Sequence, residues 1–147
     1  MNALAVSTVI QFTLTLENVP GTLAKVAQAC FKAGVSFDGF FQDVDPSGKT
    51  GIVHFVTNDV SATRTALQAI NQKFSEKKLL ALQYRDKPGI VANLAQEFGN
   101  AGINLEELYV STPGVGEKTV FYIGVADRDL EKALTILVKP ALETVFI

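Results

Sequence analysis

The side chains that could do chemistry are few. The 147-residue chain has one histidine, His54, and one cysteine, Cys30. A Ser-His-Asp or Cys-His constellation needs a histidine placed beside a nucleophile, and no second histidine is available to serve another site. No group of Cys and His has the spacing of a zinc centre. Gly114-x-Gly116 is a lone Gly-x-Gly in a turn, not a phosphate-cradling loop. Arg85 is the only arginine near a candidate anion-binding loop, and Asp86 beside it would compete for its charge. The adjacent carboxylates Glu106 and Glu107 read as solvated surface rather than an acid/base pair. Cys30 lies on an apolar helix stripe and reads as core. The expectation is therefore no catalytic residue, no metal site and no cofactor.

Composition narrows the partners. The chain is 48% hydrophobic and 19% charged, with a formal net charge of −2, which excludes disorder. A pI near 5.4 argues against nucleic acid, because phosphate binding needs a basic face. No apolar run approaches the roughly 20 residues of a membrane span. No secretory leader is evident at the N-terminus. One cysteine permits no internal disulfide, which fits the cytoplasm.

What the sequence carries instead is duplication. Leu16 to Phe37 (LENVPGTLAKVAQACFKAGVSF) matches Tyr84 to Leu105 (YRDKPGIVANLAQEFGNAGINL) at an offset of 68. Between Asn18 and Asp59 nine positions equal their counterparts without a gap: Pro20, Gly21, Ala24, Ala27, Gln28, Ala33, Gly34, Gly48 and Asp59. One long period repeated twice means two copies of a small domain, since a solenoid needs three or more repeats.

Each copy reads β-α-β-β-α-β. The first strand alternates Ile10, Phe12, Leu14 and Leu16 against Gln11, Thr13 and Thr15. Asn18-Val-Pro-Gly21 breaks it, with Pro20 suited to a helix's first turn. The helix stripe is Leu23, Val26, Ala27 and Cys30, and in copy two Val91, Leu94, Ala95 and Phe98. Gly34 and Gly102 stop the helices. The second strand slips its alternation at Asp38-Gly39 and at Glu106-Glu107, as a β-bulge would. Turns at Asp45 to Gly48 and Pro113 to Gly116 lead into third strands over 51–57 and 119–125. Asp59 and Asp127 are expected as N-caps of the second helices. The last strand of copy one runs directly into the first strand of copy two, and copy two's own last strand is expected at 143–147. The expected fold class is α+β, two ferredoxin-like βαββαβ domains over 1–76 and 77–147, with antiparallel sheets and helices on one face. The other face carries Ile52, His54, Val56, Val120 and Tyr122, joined by Phe41 and Tyr109; so apolar a face implies that the sheets pair, with each other or with a second chain as in a homodimer.

The recurring strand–[N/D]-x-P-G–helix–A-G-[V/I]-[S/N]–strand pattern resembles the ACT domain, over nearly the whole chain. This resemblance implies tandem ACT domains that bind a small-molecule effector, an amino acid, and regulate rather than catalyse. In such domains the loop after strand one faces the start of strand two in a partner domain. By residue match the implied ligand-binding positions are Asn18, Gly21, Thr22, Leu23 and Ser36 in copy one, and Asp86, Gly89, Ile90, Val91 and Asn104 in copy two. Asn18 would face Asn104, and Asp86 would face Ser36. Ser36 departs from the common Asn, and Asp86 would repel a carboxylate. Two other readings stand beside this one: a ligand-free subunit that docks on a metabolic enzyme, and a small ferredoxin-like acyl-phosphate hydrolase.

Overall fold

The alternating segments form strands and the segments spaced three to four form helices, in a computed structural model that describes residues 3–111, 114 and 116–138. In chain order these are β1 (Ala5–Glu17), α1 (Thr22–Lys32), β2 (Phe37–Val44), β3 (Thr50–Thr57), α2 (Val60–Ala69), β4 (Ser75–Arg85), α3 (Ile90–Asn100), β5 (Glu107–Ser111), β6 (Lys118–Gly124) and α4 (Leu130–Leu137). The architecture is mixed α+β with antiparallel strand pairing. The strand expected at 143–147 lies outside the described residues.

The chain divides into two units, Ile10–Lys78 and Met1–Val9 with Leu79–Ile147. In the unit of residues 10–78 the strand order is β2-β3-β1, with the start of β4 beside β1. That arrangement is consistent with a ferredoxin-like unit, in which the first and third strands are central. The alternation of β1 puts Phe12, Leu14 and Leu16 into a core with Val26, Val53, Phe55 and Leu67. Phe12 stacks on Phe55 at 5.7 Å between centroids, and Phe37 meets Phe55 edge-on at 5.0 Å.

In the other unit the order is β4-β6-β5. Its core joins Leu80, Leu82 and Tyr84 of β4 to Leu94 and Phe98 of α3 and to Phe121 and Ile123 of β6. The chain's beginning enters this unit. The Leu4 N–H donates to the Gln83 carbonyl at 2.6 Å, and Ala3 and Val6 pack on the core. The strand at the start of the chain thus begins at Ala5, ahead of the alternation that starts at Ile10.

Both expected bulges are present. The register of β2 against β3 shifts between Phe37 and Gly39, leaving Asp38 extra. In the other unit Glu107 pairs with Gly124 while the Glu106 N–H also donates to the Gly124 carbonyl, so two residues oppose one. A Cβ on Gly124 would sit 3.0 Å from Cβ of Glu107 and 3.2 Å from Cδ2 of Leu79, which is why a glycine stands there.

Three local expectations are corrected. Pro20 precedes the N-cap of α1 rather than occupying its first turn, because Gly21 takes the cap in a left-handed conformation. Asp59 does cap α2, accepting from the Ala62 N–H at 2.9 Å, but Asp127 opens a short 3-10 turn and α4 begins after Asp129 without a side-chain cap. In α3 the buried stripe is Ile90, Leu94 and Phe98, which leaves Val91 49% exposed.

Candidate functional site

The two Pro-Gly loops have the same backbone. Gly21 has φ 93 and caps α1; Gly89 has φ 96 and caps α3. A residue with a Cβ is strained in this left-handed region, so glycine is required by conformation. Neither helix has a side-chain cap, and neither has an acidic residue in its first turn. The first N–H groups of a helix have no intrahelical partner, and they carry the positive end of its dipole. Each loop therefore ends in donors suited to a carboxylate or another anion.

Around these donors the expected residues take different places. Thr22 turns its hydroxyl into its own loop, donating to the carbonyls of Glu17 at 2.9 Å and Val19 at 3.1 Å. The side-chain amide of Asn18 donates to the Gly48 carbonyl at 2.8 Å, in the turn between β2 and β3. Leu23 packs against the core of its unit. Ile90, 2% exposed, does the same in the other unit, so only its backbone N–H can face a ligand. Val91 and Asn104 are exposed, and Asp86 is half-buried.

Ser36 is tied down through its main chain. Its N–H donates to Oδ1 of Asn58 at 2.9 Å, and the Asn58 N–H donates to the Ser36 carbonyl at 3.2 Å. Ser36 also stands at the far end of α1 from Gly21. Eleven helical residues separate the two ends by about 16 Å. Gly89 and Asn104 stand in the same relation across α3, another eleven-residue helix. One small ligand cannot touch both ends of one helix.

The turn between β2 and β3 supports the loop, and the sequence reading treated it only as a connection. The Asn18 N–H donates to the Lys49 carbonyl at 2.9 Å. The Asp45 carboxylate accepts from the Ser47 hydroxyl at 2.5 Å and from the Thr50 hydroxyl, and these bonds hold its pKa below the usual carboxylate range. The available signal was Gly48, identical to its counterpart Gly116 although it lies outside the Pro-Gly motif.

On the sheet face away from the helices the repeat is also visible. Phe41 stacks on His54 across the β2–β3 ladder, and Tyr109 stacks on Tyr122 across β5–β6, at 6.0 Å and 5.1 Å. His54 Nδ1 and Thr13 Oγ1 are 2.9 Å apart. Burial, then Glu107 and Tyr122, push the Tyr109 phenol well above its ordinary range. Burial also pushes the Cys30 thiol up, which suits a core residue rather than a nucleophile. No cluster of three His, Cys, Asp or Glu side chains able to hold a metal occurs among the described residues. Among them, no helix is long and apolar enough to cross a membrane.

Comparison with known proteins bears on the fold. Residues 78–139 match the ACT domain. No curated protein matches the chain. Among solved structures, a protein from Bacteroides thetaiotaomicron is similar with a TM-score of 0.80 at 17% identity, over 90% of this chain and 88% of that one. The ligand-free regulatory subunit of aspartate kinase from Thermus thermophilus is similar with a TM-score of 0.63 at 20% identity, over 93% of this chain and 97% of that one. Aspartate kinase from Clostridium acetobutylicum is similar with a TM-score of 0.53 at 16% identity, over 92% of this chain and 34% of the enzyme. At these identities the likeness is one of fold.

Proposed function

We propose that this chain is a non-catalytic regulatory protein of two ACT repeats, over 1–76 and 77–147, that binds an amino-acid effector. One observation carries the reading. A left-handed glycine opening an uncapped helix occurs within the ACT-matched segment, at Gly89, and recurs 68 residues earlier at Gly21. The effector's carboxylate takes the free N–H groups at the start of α1 or α3, and glycine lets it approach the backbone. The loop residues are Asn18, Gly21, Thr22 and Leu23, or Asp86, Gly89, Ile90 and Val91. Ser36 and Asn104 close the site from a different repeat, because each stands a helix length from its own loop. The α1 loop is the better carboxylate site, since Asp86 brings a negative charge to the other. Binding shifts the protein between states only through a difference in affinity for them, and the state selected changes pairing with a second copy or with a metabolic enzyme.

A second reading has one observation in its favour. The side chains of Asn18 and Thr22 already have partners inside the protein, as they would in a subunit that binds no ligand and only docks on an enzyme.

Backbone NMR of the full chain titrated with each of the twenty amino acids separates the two. The first reading requires the amide signals of Thr22 and Leu23, or of Ile90 and Val91, to move with a saturable dependence on one amino acid or a related group. No movement at either loop at millimolar concentrations would leave the docking subunit.

A further inference from the structure

Within Ile10–Lys78 the Pro-Gly loop is clasped to the β2–β3 turn by the side chain of its own Asn18 as well as by main chain. Asn18 makes both bonds of the clasp: its N–H to the Lys49 carbonyl at 2.9 Å and its Nδ2 to the Gly48 carbonyl at 2.8 Å. Gly48 cannot return a bond from its own N–H, which donates to the Asp45 carbonyl at 2.9 Å to close the turn. In the other unit the Asp86 N–H donates to the Glu117 carbonyl at 2.8 Å, the Gly116 N–H donates to the Asp86 carbonyl at 2.9 Å, and the side-chain donor to the Gly116 carbonyl is Arg85 Nη1, at 3.4 Å.

From the two bonds of Asn18 we propose that it is a positioning residue. It acts on the effector by holding the loop that presents the α1 N–H groups against the β2–β3 turn, not by touching the ligand. The proposal rests on the reading that this loop receives the effector. The donor is the group that matters. The Gly48 carbonyl accepts from an amide, and it would repel a carboxylate in the same place. The turn it joins is itself braced by the Ser47 and Thr50 hydroxyls on Asp45, so the loop is tied to a stiff element. A loop held in its bound shape binds more tightly because less ordering remains to be done.

The test compares the full wild-type chain with N18A and N18D, reading amide hydrogen exchange without ligand and then binding of the twenty amino acids. Aspartate keeps the shape of Asn18 and an acceptor oxygen but loses the donor. The expected result is that both variants exchange about three- to tenfold faster at residue 18 and over 47–50, the change expected for one lost hydrogen bond. Exchange in the α1–α2 core stays at wild-type rates, which shows that the variants are folded. D86A leaves exchange at residues 86, 116 and 117 unchanged, because the donors there are the Asp86 and Gly116 N–H groups and the Arg85 side chain. The amino acid that wild type binds is bound more weakly by N18A and N18D alike. Wild-type exchange in N18D, or wild-type affinity in N18D despite faster exchange, overturns the positioning role. If wild type binds no amino acid, the effector reading fails, and the exchange arm still decides whether the Asn18 amide holds the turn.

Discussion

The backbone N–H of Leu4 donates to the carbonyl of Gln83, 79 positions away in the chain. This bond brings the first residues into the unit built mainly from 79 onward, where Val6 packs beside Leu80, Leu82 and Phe98. The start of the chain is therefore part of a core. Val6→Ala should cost about 1 kcal/mol, at the low end for truncating a buried aliphatic because Val6 is only half-buried. Urea unfolding measures the cost. Hydrogen exchange should rise in β4 and β6 before β2 and β3, and equal effects on both would contradict the placement.

Gly21→Ala and Gly89→Ala should each destabilise by about 1 kcal/mol. A Cβ at either position meets nothing within 4 Å, so the penalty is conformational and should be nearly equal at the two sites. Chemical denaturation of each variant checks this. A neutral effect would mean that the left-handed φ near 93 and 96 is not needed.

Gly124→Ala is expected to cost about 1–3 kcal/mol for a different reason, overpacking. The added Cβ would press on Glu107 and Leu79, and the Glu107 atom nearest it is its Cβ, which moves only with the backbone. At the matching position of the other repeat Val56 is accommodated and buried. A Gly124→Ala melting temperature equal to wild type would contradict the tight bulge.

The turn that braces the α1 loop should weaken in acid. The hydroxyls of Ser47 and Thr50 depress the Asp45 carboxyl in the folded state, so the stabilisation is fully present above the usual carboxylate range and disappears as pH falls through the lower folded pKa. Wild type should therefore be more stable than Asp45→Ala at pH 7, with the difference shrinking below about pH 4. A difference that grows on acidification would reverse the sign and defeat the argument. Tyr84 offers a second titration. Burial, then the charge of Glu97, raises its phenol to about 12, so its ultraviolet ionisation should fall well above the ordinary tyrosine range.

Much of this fold was readable because it is written twice. The 68-residue offset aligned strands, helices and turns, and it located the bulges at Asp38 and Glu106 where alternation slipped. What could not be read was any choice that local pattern leaves degenerate. Ile90 and Val91 are both apolar at the start of α3, and only packing against Leu94 and Phe98 decides that Ile90 turns inward. Asp59 and Asp127 are the same residue at matched positions, yet Asp127 opens a 3-10 turn that displaces the start of α4 by two residues. The extension of β1 to Ala5 was hidden because its pairing lies with a strand 70 to 80 residues later. At the candidate site the loops were legible from Pro-Gly, whereas the Asn18 bond to Gly48 was not, since a side chain's hydrogen-bond partner depends on what the fold places beside it.

The central claim is that an amino acid is the effector. The most direct test is a thermal-shift screen of the folded wild-type chain against the twenty amino acids, with purines and 2-oxo acids as controls. An effector at 100 times its Kd should stabilise the protein by about 2.7 kcal/mol, raising Tm by several degrees in a chain of this size. The account predicts a selective shift from one amino acid or a chemically related group. A flat response to all twenty, or a shift only with the controls, would contradict it.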